Sequence, residues 1–188
     1  MKIGIMGGTF DPIHYGHLII AESAREVFHL DKILFVVSAN PPHKSNKKIS
    51  DVNIRYNMVE KAIKDNLFFE ISDIEIKRKE KSYTFHTLRK LKELYTENSE
   101  IYLIIGMDEA ILFDSWFKYE DIFNLAQVVC TNRSGYHGTI HPKISLFNIP
   151  TIEISSSEIR SYISAKKSIK YLVPPEIENY ITEKGLYI

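Results

Sequence analysis

Two short segments at opposite ends of the 188-residue chain carry residues suited to holding phosphate. The first is Gly7-Gly8-Thr9-Phe10-Asp11-Pro12-Ile13-His14-Tyr15-Gly16-His17. Its adjacent glycines let the backbone approach a ligand, and the helix that it opens presents unpaired N–H groups with a partial positive charge. His14 and His17 share one helix face if the helix has begun by His14. Paired imidazoles beside a phosphate can donate to its oxygens and stabilise charge that develops in a transition state.

Two other interpretations of the histidine pair compete with this one. The rings could form half of a metal site, or they could be surface histidines. A metal site would need partner ligands, and no other segment supplies them at a recognisable spacing. Surface histidines would not explain why both rings stand in a glycine loop. The glycine spacing fits neither GxGxxG nor GxxxxGK[ST], which excludes a dinucleotide oxidoreductase and a Walker-type phosphate loop.

The second segment is Ile154-Ser155-Ser156-Ser157-Glu158-Ile159-Arg160. Ser155 and Glu158 stand in capping-box register, which predicts that a helix begins here. The first turn of that helix would carry the Ser156 and Ser157 hydroxyls together with Arg160, a second candidate cradle for phosphate. Taken alone, the segment fits a capped surface helix better.

Four segments in the middle of the chain offer groups for a second, anionic substrate. Asn40-Pro41-Pro42-His43-Lys44 combines a rigid turn with an imidazole and an ammonium. Ser82 to Leu88 opens a helix with hydroxyl side chains, including Thr84. Gly106-Met107-Asp108 is followed by Trp116, which could stack on a flat ring. Asn132-Arg133 adds a positive charge. The alternatives are a core position for Trp116, an N-cap role for Asp108, and solvated side chains for Lys44 and Arg133.

These segments follow apolar runs, which indicates that strands position them. The predicted strands are Lys2–Met6, Ile33–Val37, Phe68–Ile71, Ile101–Ile105, Gln127–Thr131 and a short one near Ile152. The predicted helices run from Leu18 to Phe28, Asp51 to Ile63, Thr84 to Tyr95, Ser156 to Ile163 and Pro175 to Gly185. The segment from Asp108 to Leu125 is predicted to be mostly helical, and Ser134 to Pro142 to be a surface loop. The alternation predicts a Rossmann-like, doubly wound α/β fold: a mostly parallel sheet, helices on both faces and a small C-terminal helical portion. Ligands then bind beyond the carboxyl ends of the strands.

Composition limits the classes of partner. Lys and Arg total 24, as do Asp and Glu, so the formal net charge is zero and a nucleic-acid partner is not expected. The single Cys130 excludes a disulfide framework. No apolar run reaches the roughly 20 residues of a membrane span. We expect one domain over 1–188, in the cytoplasm.

The HxGH motif that follows GGTFDP resembles the signature of the adenylyl- and cytidylyltransferase superfamily, and Ile154 to Arg160 resembles its ISSTxIR segment, with Ser157 in place of Thr. Together with NPPHK, SYTxxTL, GxDxxxxxxxW, NR and LVPxxVxxYI, the chain resembles the bacterial nicotinate mononucleotide adenylyltransferases over nearly its whole length. His86 departs from that pattern, where many members carry an acidic residue. Ile177 replaces Val conservatively.

The resemblance implies transfer of the adenylyl group of ATP to nicotinate mononucleotide, with release of pyrophosphate. The catalytic residues would be His14, His17 and Arg160. ATP would be bound by Gly7, Gly8, Thr9, Phe10, His14, His17, Asp108, Ser156, Ser157 and Arg160. The mononucleotide would be bound by Asn40, Lys44, Thr84, Trp116 and Arg133. Mg²⁺ would be held mainly by ATP phosphates, with no protein ligand.

The alternative functions are a sister enzyme such as phosphopantetheine adenylyltransferase and a non-catalytic nucleotide sensor. Phosphopantetheine adenylyltransferase shares the first and last motifs but lacks the NPPHK and tryptophan pairing. Intact His14, His17 and Arg160 argue against a sensor. The sequence also allows a homo-oligomer.

Overall fold

A computed structural model of the chain describes residues 1–41, 49–78, 81–95, 98–132, 138–149 and 153–188. Within these ranges the strands are β1 (Lys2–Gly8), β2 (Lys32–Val37), β3 (Phe69–Ser72), β4 (Glu100–Ile105), β5 (Gln127–Asn132) and β6 (Ser145–Asn148). The α-helices are α1 (Tyr15–Phe28), α2 (Val52–Ile63), α3 (Thr84–Leu94), α4 (Met107–Ile111), α5 (Tyr119–Leu125), α6 (Ser156–Ser164) and α7 (Pro175–Glu183). None of the described helices is both long and apolar enough to cross a membrane.

The six strands form one sheet in the order β3-β2-β1-β4-β5-β6, and all five pairings are parallel. This is the strand order of a doubly wound Rossmann-type sheet. The direction of winding reverses at β1, which lies between β2 and β4. The predicted fold class is confirmed.

Helices cover both faces of the sheet because alternate side chains of each strand point to opposite sides. Ile33, Phe35 and Val37 of β2 belong to one buried cluster, which also contains side chains of α1, α2, α6 and α7. Leu34 and Val36 belong to a second cluster, on the face covered by α3, α4 and α5. Burial on both faces explains why the strands read as continuous apolar runs.

The segment from Asp108 to Leu125 is mostly helical, as predicted, but it is not one continuous helix. The segment contains α4, a 3₁₀ helix at Phe113–Ser115 and α5. Trp116 is extended (φ −74°, ψ 146°) and Lys118 is left-handed (φ 54°), so the chain turns between the helical pieces. Helical spacing survives these turns because Phe113 and Ile122, both fully buried, reach the same cluster.

The sixth strand, β6, is one that the sequence does not predict. The short strand predicted near Ile152 falls in 150–152, outside the described residues, and so do residues 134–137 of the predicted Ser134 to Pro142 loop. β6 pairs with β5 through Ser145 to Asn148. Only Phe147 of this strand is buried, while Leu146 is 53% exposed. An edge strand with one buried side chain lacks the apolar run that identifies the central strands.

Candidate active site

The strand ends converge at the carboxyl edge of the sheet, where β1 and β4 lie side by side at the reversal of strand order. Open α/β sheets bind ligands at this point. The loop from Thr9 to His14 leaves β1 here and leads directly into α1. The end of β2 joins it, since the Ser38 N–H donates to the Gly8 carbonyl at 2.8 Å. The first predicted phosphate segment therefore lies at the expected binding edge.

The two glycines of the first segment, Gly7 and Gly8, have different surroundings. A Cβ at Gly7 would meet no described atom within 4 Å, so this position faces open space. A Cβ at Gly8 would lie 2.8 Å from the ring of Phe10. Phe10 is 2% exposed, and its ring packs edge-on against His17 with centroids 5.0 Å apart. Phe10 thus packs against His17, and its side chain is not accessible to a nucleotide.

The two histidines are stacked side by side. α1 begins at Tyr15, so His14 is its N-cap residue rather than its first helical residue. The rings nevertheless lie on one side, with centroids 3.7 Å apart and an interplanar angle of 26°. A Cβ at Gly16 would come within 3.0 Å of the His14 ring, which explains the small residue there.

The backbone assigns the proton of His17. Its Nδ1 accepts a hydrogen bond from the His14 N–H at 3.3 Å. A nitrogen that accepts carries no proton, so the proton of His17 lies on Nε2. His17 therefore has an N–H donor at Nε2, the ring nitrogen that does not accept the hydrogen bond from the His14 N–H.

The second segment docks onto the first. Ser155 is the N-cap of α6, and its Oγ accepts from the Glu158 N–H at 3.2 Å, as the capping pattern predicts. Arg160 Nη1 donates to the Asp11 carbonyl at 2.6 Å. Asp11 and Arg160 are 149 positions apart in sequence, and their hydrogen bond brings the two segments into contact.

The serines of the second segment have different bonding capacity. The Ser156 hydroxyl donates to the Pro12 carbonyl at 2.9 Å, so its one proton is engaged with protein. Ser157 Oγ accepts from Arg160 Nη2 at 3.4 Å, which leaves its own proton available to a ligand. Ser157, rather than Ser156, is the hydroxyl that can donate to phosphate.

The candidate mononucleotide residues Asn40 and Thr84 come from neighbouring elements. The Asn40 N–H donates to Ser82 Oγ at 3.0 Å, and the Ser82 N–H donates to the Asn40 carbonyl at 3.0 Å. This reciprocal pair joins the end of β2 to the start of α3, where Thr84 is the first helical residue and is half-buried. Lys44 and Arg133 lie outside the described residues.

Trp116 and Asp108 lie after β4. Trp116 is half-buried and packs on Phe113 with ring centroids 5.1 Å apart, so it is partly a core residue with part of its ring accessible. The next residue, Phe117, is 42% exposed and packs on Tyr83 at 4.8 Å. Asp108 is exposed in the first turn of α4, and its carboxylate lies over Gly106, 2.6 Å from where a Cβ would be.

Arg55 is a residue of the site that the sequence analysis missed. It is 2% exposed, and its guanidinium donates to three carbonyls: Ser50 at 2.9 Å, Thr9 at 2.7 Å and Ser38 at 2.9 Å. Burial lowers the pKa of this guanidinium, and the nearby Asp11 carboxylate opposes that shift. The only sequence signal is an arginine on the buried face of an amphipathic helix.

The described residues of the site offer no evident set of protein ligands for a metal ion. Among the described residues no three His, Cys, Asp or Glu side chains are grouped closely enough to hold one. Cys130 is buried in β5, and burial raises the pKa of its thiol to about 12. The half-site interpretation of the histidine pair therefore finds no partner ligands among these residues.

Known proteins share this architecture over the whole chain. The sequence model of the cytidylyltransferase-like family matches residues 5–162. A nicotinate-nucleotide adenylyltransferase of Desulfitobacterium hafniense (strain Y51) is 41% identical and covers 99% of this chain and 95% of its own. One from Thermoanaerobacter sp. (strain X514) is 38% identical, covering 100% of this chain and 94% of its own.

The folded structure leads to the same group of proteins. Plasmodium falciparum nicotinic acid mononucleotide adenylyltransferase complexed with NaAD superposes with a TM-score of 0.83 at 26% identity, covering 99% of this chain and 97% of its own. The family model and the relatives each extend over most of the chain. The chain thus belongs to the cytidylyltransferase-like family and, within it, to the nicotinate-nucleotide adenylyltransferases.

Proposed function

We propose that the protein transfers the adenylyl group of ATP to nicotinate mononucleotide, yielding nicotinate adenine dinucleotide for NAD biosynthesis, and pyrophosphate. The observation that carries this proposal is the docking of Arg160 and the first turn of α6 onto the loop from Thr9 to His14, here named the histidine loop, which follows β1. Two N-terminal helix ends and a guanidinium converge there, a combination suited to a polyphosphate chain. Family membership supports both substrates.

The reaction needs no covalent enzyme intermediate. A phosphate oxygen of the mononucleotide attacks the α-phosphorus of ATP in line, forming a new P–O bond. The bond from the α-phosphorus to the bridging oxygen breaks, and pyrophosphate leaves with the electron pair. The role of the protein is then to position both substrates and to stabilise charge in the transition state.

The ATP phosphates would lie between the histidine loop and α6. The Gly7 backbone faces open space and allows close approach. His17 Nε2, the Ser157 hydroxyl and Arg160 are donors at this position. Thr9, Gly8 and Phe10 would contribute backbone groups, His14 its ring, and Asp108 a contact to the nucleoside. Mg²⁺ bound to the phosphates would neutralise charge on the leaving group, held mainly by phosphate oxygens and water.

The mononucleotide would lie against the start of α3. Within the described residues the N-cap side chain, Tyr83, makes no capping hydrogen bond, so the Thr84 turn has N–H groups for a carboxylate. Trp116 would stack on the nicotinate ring. Lys44, Arg133 and Asn40 would meet the substrate phosphate and ribose. The N–H groups of the Thr84 turn favour nicotinate mononucleotide, which carries a carboxylate, over nicotinamide mononucleotide, which carries an amide.

The test is a turnover assay with the purified protein. Mg-ATP is combined separately with nicotinate mononucleotide, nicotinamide mononucleotide and phosphopantetheine, and pyrophosphate release is measured. We expect release with nicotinate mononucleotide at the highest kcat/KM, and its loss when EDTA removes Mg²⁺. Faster turnover with the amide would overturn the acceptor assignment, and turnover with phosphopantetheine alone would support the sister enzyme. Nucleotide binding without pyrophosphate from any acceptor would indicate a sensor.

Replacing Trp116 by alanine is expected to raise KM for nicotinate mononucleotide by about tenfold while kcat changes less. The indole would stack on the nicotinate ring equally well in the ground state and in the transition state. Loss of such uniform binding raises KM and leaves kcat nearly unchanged. Trp116→Phe, which keeps an aromatic face, serves as the matched control and should retain most of the affinity. An unchanged KM in the alanine variant would restrict Trp116 to packing on Phe113.

We further propose that the enzyme works in the cytoplasm on these two small substrates, without a nucleic acid or a membrane as partner. ATP and mononucleotides are cytoplasmic metabolites. The 24 acidic and 24 basic residues give a formal net charge of zero, which does not favour a broad cationic surface. A homo-oligomer is compatible with this function. Sedimentation at several protein concentrations would measure it.

A further inference from the structure

The C-terminal end of the chain returns to the histidine loop, Thr9 to His14, between β1 and α1. α7 is followed by Gly185, whose φ of +58° reverses the chain. The Leu186 N–H donates to the Ile181 carbonyl at 3.0 Å, which fixes the reversed segment on the helix. Leu186 and Tyr187 then pack against the buried cluster on the α1 face. The last residues are therefore held by specific contacts.

Tyr187 makes a polar contact with the histidine loop. Its hydroxyl donates to Asp11 Oδ1 at 2.7 Å, and the two residues are 176 positions apart. Asp11 is 4% exposed. Burial, followed by the hydrogen bond to Asp11, raises the pKa of Tyr187, so the phenol keeps its proton and stays a donor at neutral pH. Tyr187 also has φ 67°, in the left-handed region that is uncommon for residues other than glycine.

Asp11 connects this contact to the site. Its Oδ2 accepts from the Ser50 N–H at 3.3 Å, and its carbonyl accepts from Arg160 Nη1 at 2.6 Å. Three distant parts of the chain thus hold one residue in the loop between the glycine pair and His14. Asp11, Arg160 and Tyr187 line one cleft of about 450 Å³.

We propose that Tyr187 is a positioning residue for adenylyl transfer: its hydroxyl fixes Asp11, and through Asp11 it sets the orientation of Arg160 and of the loop that carries His14. This inference rests on the proposed function. Tyr187 acts through Asp11 and need not touch either substrate. Loss of the hydroxyl would leave the Asp11 side chain with one fewer donor and free the loop to shift. A small displacement of transition-state donors lowers the rate without removing binding contacts.

The test compares two variants with the same chemical change. Tyr187→Phe removes only the hydroxyl that contacts Asp11. The control, Tyr162→Phe, removes a hydroxyl that donates to Glu158 Oε1 at 3.0 Å on the surface of α6. We expect kcat to fall about tenfold in Tyr187→Phe, with KM for both substrates within about twofold, and to stay within about twofold of wild type in Tyr162→Phe. Circular dichroism at the assay temperature gives the folded fraction, to which kcat is referred.

A double-mutant cycle with Asp11→Ala, which removes the acceptor, tests whether the effect passes through Asp11. We expect Tyr187→Phe to cost less than about twofold in kcat when Asp11 has already been replaced, because the two changes break one interaction. Independent, multiplying effects would overturn the proposal. So would a kcat per folded molecule equal to that of Tyr162→Phe, since a purely structural hydroxyl changes the melting temperature alone.

Hydrogen–deuterium exchange separates this inference from the proposed function. Amides of residues 9–17 should exchange faster in Tyr187→Phe than in wild type and in Tyr162→Phe, whatever the substrate. Unchanged exchange in that segment would overturn the positioning role. Failure of wild-type protein to release pyrophosphate would overturn the proposed function, while its activity together with an unimpaired Tyr187→Phe variant would overturn only the inference.

Discussion

Replacing His17 by alanine is expected to lower kcat by about 100-fold or more, the range for loss of one transition-state donor. The expectation follows from the geometry of the ring. Its Nδ1 is held by the His14 N–H at 3.3 Å, and its face is supported by Phe10 at 5.0 Å, so Nε2–H has a fixed direction. A fixed donor costs little reorganisation when charge develops on the phosphates. KM for ATP should change less than kcat, because the contact strengthens in the transition state.

The control for this variant is the histidine at the other end of the same helix. His29 is exposed, follows the last residue of α1 and has φ 52°, which asparagine tolerates. His29→Asn should keep wild-type kcat and KM. Steady-state kinetics with varied Mg-ATP at saturating mononucleotide measures both. A kcat for His17→Ala close to that of the wild type would remove His17 from the chemistry.

Replacing Arg55 by methionine should lower the free energy of unfolding by about 3 kcal/mol, through several buried carbonyls left without a donor. The guanidinium serves the carbonyls of Thr9, Ser38 and Ser50, and methionine fills similar space without donating. These carbonyls belong to the loops after β1 and β2 and to the segment before α2. The variant should therefore lose stability and also loosen the edge of the sheet that carries the site.

Urea unfolding monitored by circular dichroism measures the change, with Arg89→Met as the matched control. Arg89 is exposed on α3, where the same substitution should change the free energy of unfolding by less than about 0.5 kcal/mol. Equal stability of the two variants would mean that water replaces the guanidinium at all three carbonyls. Arg55 would then have no positioning role in the loops.

The central elements were predictable because their signals are local. β1, β2, β4 and β5 are apolar runs since both faces of each strand are buried, and the cap of α6 is contained in seven consecutive residues. The mostly helical segment from Asp108 to Leu125 was predictable, but its breaks were not, because its spacing stays helical across turns that the cluster around Phe113 requires. β6 was not predicted because it is an edge strand with only Phe147 buried, so its sequence contains no apolar run.

The contacts of Arg55 and Tyr187 were beyond sequence reasoning because they are non-local. Arg55 reaches Thr9 over 46 positions and Tyr187 reaches Asp11 over 176. No periodicity or short motif relates residues at such separations. Their partners depend on the path of the crossovers and on how α7 lies on the sheet.

The sequence by itself determined the types of the main elements, the residue types at the strand ends and the resemblance to the nicotinate-nucleotide adenylyltransferases. Each of these depends on residues that are close in the chain, where spacing and capping act directly. Only the tertiary structure decided that β1 and β4 are neighbours, that α6 lies on the histidine loop, and that Asp11 joins Ser50, Arg160 and Tyr187. The physical reason is that strand order and helix docking are set by the burial of two apolar clusters across the whole chain, which no local segment specifies.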